Sequence, residues 1–185
     1  MNINLEAVRT GQVSYADLMR TIGHTDLYEM SDELFDAIEA VLTQATDAAI
    51  LFVPRDAEAS EQNEQGWTLS HVIAHLTATA EGTAATAAML ARGVEVKERL
   101  RYETPWEQLS TLQMVQARLR ESRRICRAFL DAWPDEPHLD LTLTMIPLLG
   151  PMDAVGFHAL GIAHGQAHLD QMRETIRQFN MAEKL

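Results

Sequence analysis

Apolar residues recur at three- and four-residue steps along most of the chain, and the breaks between these runs fall at Pro, Gly and polar clusters. A short helix is predicted after Ser14, with Tyr15, Leu18 and Ile22 on one face. A longer one covers about Thr25 to Phe52, where Met30, Leu34, Ile38, Leu42 and Ala45 share a stripe. Pro54 to Gly66 is a polar loop with nothing to bury. Thr68 then caps a helix to about Arg92, with Trp67 placed to staple onto Val72 and Gly93 at the residue past the end. The second half of that helix is rich in Ala, Thr and Gly, which admits a close neighbour or leaves room for a ligand. Thr104-Pro105-Trp106-Glu107 has the spacing of a capping box and predicts the start of a third long helix. Leu109, Leu112, Leu119, Cys126 and Leu130 form its apolar stripe, and Pro134 and Pro137 end it. His138 to Pro151 alternates apolar and polar residues, as a short strand or an extended crossover would. The last helix runs from about Asp153 to Phe179, with Asn180 suited to a left-handed stop. Four long helices predict an all-α fold, a four-helix bundle with a short extra N-terminal helix. The 185 residues read as one domain, with 1–24 as an extension and about 25–180 as the bundle.

Composition narrows the partners. The residues are 46% hydrophobic, enough for a packed core, and the formal net charge is −12. Such a surface repels phosphate backbones, and no basic stripe offsets it, so nucleic acid is excluded as a partner. No apolar run reaches membrane-spanning length and the N-terminus lacks a signal-peptide pattern, so no membrane partner is expected. One cysteine cannot form an internal disulfide, which suits a reducing, cytoplasmic setting.

The chemistry concentrates in histidine. His71 and His75 form one i, i+4 pair, and His164 and His168 another, each on a predicted helix. Four residues advance about 400°, so paired rings lie about 40° apart on one face and can reach a single ion. His164 and His168 share their stripe with Phe157, Leu160, Met172 and Phe179, and His75 lies among Val72, Leu76 and Thr79, so these three point inward. His71 falls in the first helical turn, near solvent, and reads first as a cap partner or a support to the ligands, and second as a ligand itself. Three buried imidazoles need partners: either separate hydrogen bonds for each, or one divalent ion shared by all three. A closed structural zinc needs a fourth protein ligand, and no cysteine is placed to supply it.

Trp67 to Gly82 (WTLSHVIAHLTATAEG) and Gly161 to Ile176 (GIAHGQAHLDQMRETI) resemble the second and closing helices of the DinB/YfiT-like proteins. The similarity extends in order and spacing over roughly residues 25 to 180. It implies an up-down-down-up bundle, usually dimeric, with a divalent metal on three histidines, which fall here on His75, His164 and His168. His71 stands where a Glu or an apolar residue is common. Relatives of that kind include thiol-dependent S-transferases and a maleylpyruvate isomerase that uses mycothiol. An open three-histidine site with zinc or nickel would lower the pKa of a low-molecular-weight thiol or of water. The leading expectation is therefore an S-transferase acting on a thiol and an electrophile. A metal-dependent hydrolase is the alternative, though no acidic residue sits obviously on the triad faces. A non-enzymatic metal- or ligand-binding stress-response protein is also compatible.

Other residues receive lesser roles. Gln171, one turn after His168, is a candidate to orient a metal-bound water or a substrate, or equally to make an interhelical hydrogen bond. His158 lies about 80–120° around the helix from the triad pair and reads as a surface or interface residue. His24 and His138 sit in joints and read as solvated. Cys126 lies beside Arg123, Arg124 and Arg127, but its apolar stripe favours a buried, inert thiol. Glu81 reads as a surface or intersubunit contact, Glu121 to Arg127 as a solvated face, and Arg101 and Tyr102 as candidates to enter a pocket. No G-x-S-x-G, Walker loop, G-x-G-x-x-G or C-x-x-C is present, so serine hydrolysis, nucleotide binding and dithiol redox have no support.

Overall fold

Apolar stripes cannot be buried by one helix alone, and here four long helices bury them against each other. The computed structural model describes residues 3–56, 65–98 and 102–184. Two short helices, α1 (Leu5–Arg9) and α2 (Tyr15–Met19), precede α3 (His24–Leu42) and the short α4 (Asp47–Ile50). The bundle is completed by α5 (Leu69–Ala91), α6 (Leu112–Asp131) and α7 (Ala154–Ala182). Among the described residues no helix is long and apolar enough to cross a membrane.

Side-chain contacts between elements give the helix directions. His24 and Tyr28 meet Leu130 and Asp131, while Asp36 meets Arg123, so α3 and α6 run antiparallel. His75 meets His164 while Thr83 lies against Gly161, so α5 and α7 are antiparallel. Ser70 bonds the carbonyl of Leu109 and Glu81 reaches Arg118, so α5 and α6 are parallel. The order is up-down-down-up, with α3 and α5 each packed on both α6 and α7.

The expected long helix 25–52 is broken. Thr43 donates its hydroxyl to the Ala40 carbonyl, the backbone of Thr46 extends, and the Thr46 side chain caps α4. Threonine competes with the helix ladder through its own hydroxyl, and two of them within four residues end the run. The capping box expected at Thr104 does not start a helix either. Pro105 adopts an extended conformation (ψ 116°), Trp106–Gln108 make a single 3-10 turn, and the Thr111 side chain caps α6. Asp47 takes the Leu112 N–H at 2.8 Å, a second acceptor that makes Thr111 the better start. His138 to Pro151 is an extended crossover, with one antiparallel bridge between Leu143 and Met152 and a 3-10 turn at Pro147–Leu149. At the far end α7 passes through Asn180 to Ala182, so the expected stop there is absent. Gly93 does end α5, with φ of 79° and paired bonds from Gly93 N to Leu90 O and from Val94 N to Met89 O.

The small residues of α5 serve close packing. A Cβ on Gly161 would lie 2.2 Å from Thr83 Oγ1, and one on Gly165 would lie 2.6 Å from Leu34 Cδ2. These two glycines bracket His164. They let α7 settle onto α5 and α3 closely enough for histidines on separate helices to meet.

Candidate metal centre

Thr68 accepts the His71 N–H, which fixes the first turn of α5 and sets His75 one turn deeper. Across the interface His164 and His168 project from consecutive turns of α7. The nitrogens that His75, His164 and His168 can offer all lie within 4.8 Å of one another, and the three side chains are partly buried. His164 Nε2 and His75 Nε2 are 3.0 Å apart. Two ring nitrogens this close are compatible only if a proton or a cation lies between them, because two bare lone pairs repel.

The third ring is oriented by its neighbour. Gln171 Oε1 lies 2.7 Å from His168 Nδ1 and accepts its proton, which leaves the Nε2 lone pair for the centre. Gln171, expected to orient a metal-bound water or substrate or to bond across helices, instead meets the ring of its own helix neighbour His168. The donor set fits a divalent transition metal: three imidazoles, converging, one with its outward nitrogen already held. Among the described residues no cysteine or carboxylate joins the group.

His71 does not join it either. Its ring lies between two indoles, stacked on Trp67 at 4.1 Å between centroids and 16° between planes, and on Trp106 at 5.4 Å and 12°. Burial holds the His71 ring below the usual histidine pKa, against the opposing pull of Glu103 and Glu107. Trp67, expected to staple onto Val72, lies on His71, turns its edge to His75 at 4.9 Å and runs nearly parallel to His168 at 6.5 Å. The triad is therefore walled on one side by stacked aromatic rings.

A residue missing from the sequence reading is Glu103. Its Oε1 lies 3.9 Å from His75 Nδ1, and its side chain is 32% exposed. Nothing in local spacing connects it to the triad, since it arrives on the crossover between α5 and α6. Arg101 lies outside the described residues, and Tyr102 is exposed rather than pocketed.

Several other expectations change with packing. His158 is buried, 3% exposed, because at that level α7 is enclosed on every side; burial and the nearby His24 push its pKa down to about 3. His24 is not a solvated joint residue, since it stacks on Trp133 at 4.6 Å and its Nε2 meets the Leu130 carbonyl at 3.1 Å. His138 is exposed, as expected. Glu81 is not a freely exposed surface group: it is partly buried in an ion pair with Arg118 of the same chain. Arg123 and Arg127, expected on a solvated face, pair with Asp32 of α3, and Arg123 also with Asp36. Cys126 is buried, and desolvation pushes its thiol up to about 12, which makes it inert.

A family model of the DinB superfamily matches residues 30–172. The chain belongs to the DinB superfamily. No curated protein and no solved structure matches it. The matched region contains α5, α6 and all three triad histidines, so this DinB-superfamily chain carries the cluster within the family region itself.

Proposed function

We propose that this DinB-superfamily protein is a metal-dependent S-transferase that joins a low-molecular-weight thiol to an electrophilic small molecule. His75, His164 and His168 would hold the ion, with zinc and nickel the first candidates. The observation that carries this reading is the convergence of three partly buried imidazoles from two helices without a fourth ligand among the described residues. Such an ion supplies a Lewis acid that lowers the pKa of a thiol or water reaching the open side.

The protein's own groups do the rest. Gln171 holds the His168 ring in one tautomer. The stacked rings of Trp106, His71 and Trp67 shield one flank from water, which strengthens every polar interaction inside. Burial between the indoles lowers the His71 pKa and so favours its neutral ring. A homodimer in the cytoplasm belongs to the same reading.

One observation favours a hydrolase as the second reading. Glu103 brings near the triad a carboxylate of the kind that water activation needs as a base. Titrating the cobalt-substituted protein with small thiols separates the two. The expected result is a sulfur-to-metal charge-transfer band with at least one cellular thiol, followed by thioether formation with a test electrophile. A cobalt spectrum unchanged by every thiol, with ester or amide cleavage instead, refutes the transferase and supports the hydrolase.

A further inference from the structure

The crossover between α5 and α6 is tied down where it passes the triad. Arg118 of α6 donates from Nε to Thr104 Oγ1 at 3.1 Å and from its terminal nitrogen to Glu81 of α5. Both partners of this ion pair are mostly covered, at 12% and 19% side-chain exposure. A covered charge pair is costly to desolvate, and its best-attested use is to fix one arrangement among several. Here the arrangement concerns Glu103, the residue before Thr104. Glu81 lies six residues after His75 on the same helix, about 9 Å along its axis. The clamp thus references the crossover to the very helix that carries His75.

We infer that Glu103 is a positioning residue for His75, held at the Nδ1 edge of that ring by the Glu81–Arg118–Thr104 clamp. The inference rests on the triad being a metal site. Ligating histidines ordinarily give their outward N–H to a carboxylate or carbonyl, which sets the tautomer and raises the basicity of the other nitrogen. His168 has Gln171 in that place at 2.7 Å, and His75 has Glu103 at 3.9 Å with its Nε2 turned to His164. Closing to hydrogen-bond length needs about 1 Å of movement. A carboxylate is a stronger acceptor than an amide, so Glu103 is the stronger of the two ring partners.

The test is zinc affinity, measured by titrating metal-free protein against a chromophoric chelator. Glu103→Gln keeps the shape and removes the charge, and its zinc Kd rises about 10–100-fold. Arg118→Met raises it in the same direction. Because Arg118 acts through Glu103, the double variant binds no more weakly than Glu103→Gln alone. Thermal unfolding of the metal-free proteins shows whether Arg118→Met still folds. If it does not, the Glu103 variant and the ring nitrogen shifts of His75 in the zinc-loaded wild type decide the matter, with Nδ1–H and Nε2-bound zinc expected. Affinity of Glu103→Gln within twofold of wild type, additive effects in the double variant, or zinc on Nδ1 each overturns the inference while the metal reading stands. Wild-type protein that takes up no ion overturns both.

Discussion

His158 should make this protein acid-sensitive. Its ring is fully enclosed on α7 and its Nδ1 has no hydrogen-bond partner, so the neutral form is the only one the core accommodates. Burial first, and His24 second, hold the pKa at about 3, against about 6.5 in an unfolded chain. Between these values the unfolded chain binds a proton that the folded one refuses. Stability therefore falls as pH drops from about 6.5 toward 3, at about 1.4 kcal/mol per unit for one proton. At about pH 4.5 the accumulated loss is about 2–3 kcal/mol, a large share of a typical domain's stability. His158→Leu removes the titration and the unpartnered nitrogen together while filling most of the same space. Urea unfolding of metal-free wild type and variant, from about pH 7.5 to 4.5, isolates the effect because all other carboxylates and histidines are shared. The stability difference should shift by about 2–3 kcal/mol in favour of the variant as pH falls. A difference that stays flat across that range would falsify the buried, neutral assignment.

Three more outcomes are expected. His164→Ala should lose most of the bound ion while keeping its helical circular dichroism; full occupancy by elemental analysis would mean the ligands are misassigned. Gly161→Ala places a methyl 2.2 Å from Thr83 Oγ1, so it should cost about 1–3 kcal/mol in urea unfolding, and adding Thr83→Ala should recover part of that loss. Cys126, buried with its thiol raised to about 12, should react with a thiol reagent only in denaturant; modification of the native protein at the rate of a free thiol would contradict its burial.

The bundle was legible because its stripes are periodic: Met30, Leu34, Ile38 and Leu42 are all buried, as their spacing requires. That His75, His164 and His168 point inward was legible for the same reason, since each lies on an apolar face; that they meet was what the resemblance to DinB/YfiT-like proteins implied. Boundaries were less so. Thr104 and Thr111 are both able to cap a helix, and the choice between them depended on Asp47, which comes from another element.

His158 shows the limit most clearly. Angular position on one helix says which neighbours a residue shares a face with, but not whether a second or third helix covers the remaining faces. Glu81 and Glu103 were misread or missed for a related cause, because their partners are distant in sequence and charge pairing across helices leaves no periodic trace. What the sequence by itself determined was the helical class, the inward stripe and the three histidines that lie on it. Only the tertiary structure decided that His71 is sandwiched, that His158 is sealed, and that a crossover carboxylate stands behind His75. Periodicity is a property of one helix, whereas enclosure, stacking and pairing arise from how several helices pack together.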